Sequence, residues 1–267
     1  MKGKKFGILV MVFLVLASFA FSAVLQQEDF TPAENGTKPA GIKGEWDADT
    51  DLIVIPIASA NPAVAADHTG GDGYVLQVGD VGAGAYNFAW PSSYTPQTYS
   101  EAECWVYFNF DGVTAERDYI MIIHGSENVS ESYYYNGRPG YWLMVTVNSS
   151  WGTYTPPDKT AFLLKRATDD SAWVIPVLDE GTGTYDTGWH KMRLEITSSG
   201  EIKGYIDDVL EVSATDTDYT SGFPVMAFYD NGTDNTVAGA FDNFVWSSSP
   251  PPPPVVTAVE SGWYLYE

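Results

Sequence analysis

The chain has 267 residues, 45% hydrophobic and 15% aromatic, with 13 Lys and Arg against 35 Asp and Glu for a formal net charge of −22. Such a charge repels nucleic acid and anionic lipid, which excludes both as partners, and it disfavours acidic polysaccharides unless a cation bridges them. Cys104 is the only cysteine, so neither an intrachain disulfide nor a thiolate metal centre can form.

In chain order, a basic segment (Met1–Phe6), an apolar run (Gly7–Phe19) and the small-residue signal Ala20-Phe-Ser-Ala23 read as a secretory signal peptide over 1–23. The run is short for a spanning helix, and no later stretch is long and apolar enough, so the mature chain is expected to be secreted or held at the cell surface, with no membrane span. Gln26–Phe30 reads as a first strand, and Leu52–Ile57 as an edge strand because Pro56 cannot donate to a ladder. A turn at Gly70–Gly73 leads into a strand over Tyr74–Val78 and then a Gly-rich loop. From Tyr99 to Asp111, Ala102, Cys104, Val106, Phe108 and Phe110 form one face, and Glu101, Glu103, Trp105, Tyr107 and Asn109 the other.

Tyr119–Ile123 reads as a buried strand ending at His124, followed by an aromatic, polar loop (126–140) that contains Tyr134. Tyr141–Val147 alternates again, with Trp142, Met144 and Thr146 outward, and a second loop (148–159) carries Trp151 and Tyr154. Short strands follow over 161–165 and 173–177, and Asp179-Glu180 and Asp216–Asp218 read as solvated acidic loops. Thr187–Leu210 reads as one hairpin: His190, Met192, Leu194 and Ile196 share a face opposite Trp189, Lys191, Arg193 and Glu195. Ser198-Ser-Gly200 turns the chain, Ile202, Gly204 and Ile206 continue the apolar face, and Asp207-Asp208 turns it again. Strands over 223–229 and 240–246 close the set, before a Ser/Pro linker (247–254) and a short tail (255–267) that is a tail strand, a truncated second domain or a sorting tail. No segment has a sustained helical period, and turns recur every ten or so residues. The fold class is therefore all-β, a two-sheet antiparallel sandwich or a barrel, with 24–246 as its single domain.

Gly188-Trp-His190, the alternating strand and Gly204-Tyr-Ile-Asp-Asp-Val209 resemble the hairpin of laminin-G-like domains in the concanavalin A-like lectin/glucanase superfamily, with Asp208 where that family usually has Gly. An opening Glu28-Asp-Phe30 and a closing Phe241-Asp-Asn-Phe244 extend the resemblance over residues 28–246. It implies a jelly-roll sandwich whose first and last strands lie side by side in the back sheet. It also implies that a structural Ca2+ could tie those strands, with Glu28, Asp29 and Asp242 as the candidate ligands. Hard oxygen donors suit that ion, and soft ligands are scarce.

Stacking on pyranose rings needs flat apolar faces beside a few polar groups. Trp105, Tyr107 and Trp142, outward by parity, and Tyr134, Trp151 and Tyr154, in the loops, are the candidates. Glu101 and Glu103 are the nearest approach to a paired-carboxylate hydrolase site, with Lys191 and Arg193 as possible partners, but no hydrolase or lyase motif surrounds them. His124 at a strand end, His190 at a core position and the loop residue His68 read as structural. The expectation is a secreted, non-catalytic module that binds an extracellular polysaccharide, another glycan or a surface protein. A glycoside hydrolase or polysaccharide lyase, and a structural cell-envelope protein, are the alternatives.

Overall fold

A computed structural model describes residues 24–28, 30, 42–45, 52–56, 74–78, 85–91, 94–125, 139–150, 154–166, 176–197, 199–230 and 239–248. The leader, the linker, the tail, Asp29, His68, Tyr134, Trp151 and residues 173–175, together with the side chain of Glu28, lie outside that set.

The described residues are strand throughout their regular parts, in the order β1 (Val24–Glu28), β2 (Ile42–Glu45), β3 (Leu52–Pro56), β4 (Tyr74–Val78), β5 (Ala85–Pro91), β6 (Ser100–Phe108), β7 (Arg117–Gly125), β8 (Gly140–Val147), β9 (Thr160–Arg166), β10 (Val177–Glu180), β11 (Gly188–Ile196), β12 (Glu201–Ile206), β13 (Val209–Thr215), β14 (Phe223–Asp230) and β15 (Gly239–Ser247). They build two antiparallel sheets. The first runs β13-β12-β11-β6-β15-β4-β3, with β1 also on β15, and the second runs β10-β9-β8-β7-β14-β5-β2. The first and last strands are neighbours, with Glu28 opposite Phe244, as the resemblance implied.

Alternation explains the stacking. Ala102, Cys104, Val106 and Phe108 on β6 and Met192, Leu194 and Ile196 on β11 are buried, while the residues between them are half-buried. One face of the first sheet therefore turns inward and the other outward. From the second sheet, Met226 meets Cys104 with its Sδ 3.5 Å from the thiol sulfur, so Cys104 is a core residue, and burial raises its pKa. Gly204 is a point of close approach between the sheets: a Cβ there would lie 2.8 Å from Leu143 Cδ1 of the other sheet and 2.7 Å from Val212 Cγ2 of its own. A larger residue on β12 would hold β8 away.

The hairpin forms as expected, with Met192 opposite Ile206 and Ile196 opposite Ile202. Asp207 and Asp208 both adopt positive φ, 51° and 66°, the conformation of a two-residue hairpin turn that usually favours Asn-Gly. The Asp207 carboxylate accepts from Lys191 N at 2.9 Å and lies 2.7 Å from His190 Nδ1, and Asp208 pairs with Lys191 at 2.6 Å. Those bonds hold a turn without glycine.

Several expectations change. Of the strand expected over 173–177, residues 173–175 lie outside the described set; β10 runs from Val177 to Glu180, so Asp179 and Glu180 belong to a strand rather than a loop. Asp179 caps the outer edge of the other sheet by accepting from Ser213 N at 2.7 Å. Asp216 and Asp218 are likewise engaged, both at 2.7 Å from Lys165 Nζ. β2, β5 and β13 were not foreseen, because Gly44, the Gly-rich approach to Ala85 and the Asp-Asp turn before Val209 interrupt the alternation that marks a strand.

Candidate functional site

The outward face of the first sheet brings together residues from two neighbouring strands. Trp189 on β11 lies opposite Tyr107 on β6, and Lys191 opposite Trp105. Tyr107 and Trp189 meet edge to face with ring centroids 5.5 Å apart, and all three aromatic residues are half-buried. On its other side Tyr107 faces the small Ala240 of β15. Charged side chains continue the face along the same strands. Arg193 Nη1 is 3.4 Å from Glu101 Oε2, and its guanidinium sits 3.7 Å over the Tyr205 ring. Lys191 is 4.0 Å from Glu103. Burial raises the Glu101 pKa, while Arg193 works against that shift. Two indoles and a phenol ring, rimmed by donors and acceptors, suit a sugar's C–H face and its hydroxyls.

Trp189 is absent from the sequence-derived candidates, although the alternation that put Lys191 and Arg193 outward also put Trp189 there. What was missing was the register across β6 and β11, which makes it Tyr107's neighbour.

Trp142 does not join this face. It lies on β8, on the far side of the second sheet, and is 0% exposed. Its outward direction by parity is right: its β8 neighbour Leu143 meets Gly204 between the sheets. The expectation that it offers an open ring is corrected, because every residue of β8 is buried on both faces and the Arg166 guanidinium packs 5.0 Å from the indole. Tyr154 stands beside that same sheet, 37% exposed, edge-on to Phe162, with its hydroxyl donating to Glu180 Oε2 at 2.5 Å. Trp105 and Tyr107 are thus separated from Trp142 and Tyr154 by the thickness of the sandwich.

Of the metal candidates, Asp242 is 0% exposed and stands beside Trp105 in register, at a bulge where Asn243 takes φ 49°. Among the described residues no group of three or more His, Cys, Asp or Glu side chains could hold a metal ion. A different polar cluster occupies the outer side of the second sheet. There Asp118 on β7 lies opposite Thr146 on β8 and is fully buried. Burial, with Glu116 beside it, pushes its pKa up to about 8. His124, at the other end of β7, is also buried, and its Nδ1 lies 2.9 Å from the Tyr219 carbonyl. A carbonyl only accepts, so Nδ1 carries the proton and Nε2 has no hydrogen-bond partner among the described residues. That burial lowers the His124 pKa. His190 stacks on Phe108 with centroids 4.7 Å apart, a structural place at the rim of the core.

No protein-family model matches the chain, and no curated protein matches it by sequence. Solved structures do. The Emp47p carbohydrate recognition domain superposes with a TM-score of 0.50 at 11% identity, over 83% of this chain and 93% of that one. The VIP36 exoplasmic/lumenal domain, in its Ca2+/Man3GlcNAc-bound form, superposes with a TM-score of 0.51 at 8% identity, over 79% of this chain and 87% of that one. Identities this low speak to architecture alone. Two stacked antiparallel sheets, adjacent first and last strands and these superpositions together give the chain the concanavalin A-like jelly-roll fold.

Proposed function

We propose that the chain is a secreted carbohydrate-binding module, exported by its 1–23 leader, and that it binds an extracellular polysaccharide or glycan without chemistry of its own. The ligand stacks on Trp105, Tyr107 and Trp189 and is read by Glu103, Lys191 and their neighbours. The observation that carries this reading is the edge-to-face Tyr107–Trp189 pair with Trp105 beside it, half-buried on a sheet face that also carries ion pairs. A cluster of large rings on an outer sheet face is the kind of apolar patch that marks a ligand site. The fold supports the reading by analogy, since the Emp47p domain is named for carbohydrate recognition and the VIP36 structure holds Man3GlcNAc. Glu101 and Glu103 each have a cation on the adjacent strand, an arrangement that favours a structural over a catalytic role for them.

Calorimetric titration of the mature chain with a panel of soluble polysaccharides, run beside a reducing-end assay, tests the proposal. Binding to at least one polysaccharide without release of reducing ends is expected, with affinity about five- to 150-fold weaker in Trp105→Ala, given a loss of about 1–3 kcal/mol per stacked ring. Release of reducing ends that Glu103→Gln abolishes would replace the module with a hydrolase.

A further inference from the structure

The two aspartates of the turn between β12 and β13 do different work, although both take positive φ. Asp207 fastens the turn to β11 through Lys191 N and His190 Nδ1. Asp208, its side chain 67% exposed, reaches instead for the side chain of Lys191, with Oδ1 2.6 Å from Nζ. Aspartate at φ 66° is a costlier choice than glycine, which adopts that angle freely, and an exposed ion pair offsets little of that cost. A residue that sits where the backbone prefers another points to a task beyond the turn.

What Lys191 faces shows that task. It stands opposite Trp105 across β6 and β11, and Glu103 precedes Trp105 by two residues on the same outward side. The lysine side chain is 18% exposed, its ammonium is gripped by Asp208, and it stops 4.0 Å short of Glu103 Oε2. That gap is wider than a direct charged hydrogen bond, which spans about 2.7–2.9 Å. A donor and an acceptor so spaced beside an indole fit two neighbouring hydroxyls of one sugar ring: one hydroxyl accepts from Lys191 while the next donates to Glu103. The other cations on the outer side of β6, β11 and β12 are matched as well. Arg193 Nη1 lies 3.4 Å from Glu101 and 3.9 Å from Glu195, and Lys203 Nζ lies 2.9 Å from Glu201. Carboxylates outnumber cations there, so a uronate or sulfate group would find no unmatched positive charge among the described residues of this face.

We propose that Asp208 is a positioning residue for the aromatic face: it holds Lys191 as a fixed donor beside Trp105, and with Glu103 that donor reads a pair of adjacent hydroxyls on an uncharged pyranose. The ligand class is thereby a neutral polysaccharide, with no carboxylate or sulfate on the unit that stacks on Trp105. A loose lysine has to be ordered by the ligand at a cost in affinity, and the Asp208 carboxylate has already ordered this one. The inference rests on the glycan reading of the same face and adds to it a ligand class and a residue that acts through another.

Calorimetric titration and thermal unfolding of the mature chain and its variants test the assignment, with xyloglucan, galactomannan and mixed-linkage β-glucan as neutral probes and polygalacturonate and alginate as acidic ones. The wild type should bind at least one neutral probe, and both acidic ones at least about tenfold more weakly. Asp208→Gly and Asp208→Asn should unfold at the wild-type Tm or above it, because both residues suit positive φ, and yet bind about two- to tenfold more weakly. Lys191→Met should weaken binding about tenfold or more. In the Lys191→Met background Asp208→Gly should change affinity no further, which a general loosening of the hairpin would not produce. The inference is overturned by wild-type affinity in Asp208→Gly or Asp208→Asn, or by an undiminished effect of Asp208→Gly in the Lys191→Met background. It is overturned equally by a Tm more than about 5 °C lower in both Asp208 variants, or by acidic probes bound as tightly as neutral ones. Binding lost in Trp105→Ala but unchanged in the Asp208 variants removes this inference alone, whereas a wild type that binds none of the probes removes it together with the glycan reading.

Discussion

Trp142 and Trp105 show how direction and exposure differ at the scale of one side chain. Both point away from the space between the sheets, yet one is sealed and the other half-open. Trp142→Ala should therefore lower the unfolding free energy by about 3–5 kcal/mol, as removal of a buried indole does, and leave polysaccharide affinity unchanged. Urea unfolding and calorimetry on the same preparation check the two halves of that statement. His124 sets a second expectation. Its depressed pKa means the unfolded chain binds the extra proton more readily, so its neutral ring costs nothing above the ordinary value of 6.5. Below 6.5 stability falls as pH drops towards the folded-state pKa. The stability lost between pH 7.5 and pH 5.5 should be smaller in His124→Asn than in the wild type, because Asn tolerates the φ of 54° found there and does not titrate. Taking the difference between the two proteins removes the contribution of every other group.

At the scale of elements, the β11–β12 hairpin was the most legible part of the sequence. Its alternation is strict, and Gly200, with φ 76°, marks the turn. β8 and β14 were legible as strands but not in their surroundings, because a strand buried on both faces has no polar side to reveal what covers it. The Asp118 cluster was invisible for another reason. Glu116, Asp118, Thr146 and Ser149 become neighbours only through the β7–β8 register and the left-handed Asn148, neither of which a periodicity encodes. Gly204 is the element-scale test of how closely the sheets approach. Gly204→Ala should cost about 1–3 kcal/mol by pressing on Leu143 and Val212, read by urea unfolding, and a neutral result would mean the two sheets have more room than this packing allows.

The whole molecule has two outer sides of different character. The second sheet is closed over, with Trp142, Met144, Thr146 and Asp118 all buried on its outer side. The first presents Trp105, Tyr107 and Trp189 among ion pairs. Sequence-derived candidates drew from both sides because residue types and parity do not say which sheet a strand joins. The topology divides them, with β6 and β11 in one sheet and β8 and β9 in the other. Affinity electrophoresis of Trp105→Ala, Trp189→Ala and Tyr154→Ala through gels containing the bound polysaccharide tests that division most directly. The account predicts that the first two migrate unretarded while Tyr154→Ala is retained like the wild type. Retention of Trp105→Ala and Trp189→Ala together with loss in Tyr154→Ala would put the ligand on the other sheet and contradict it.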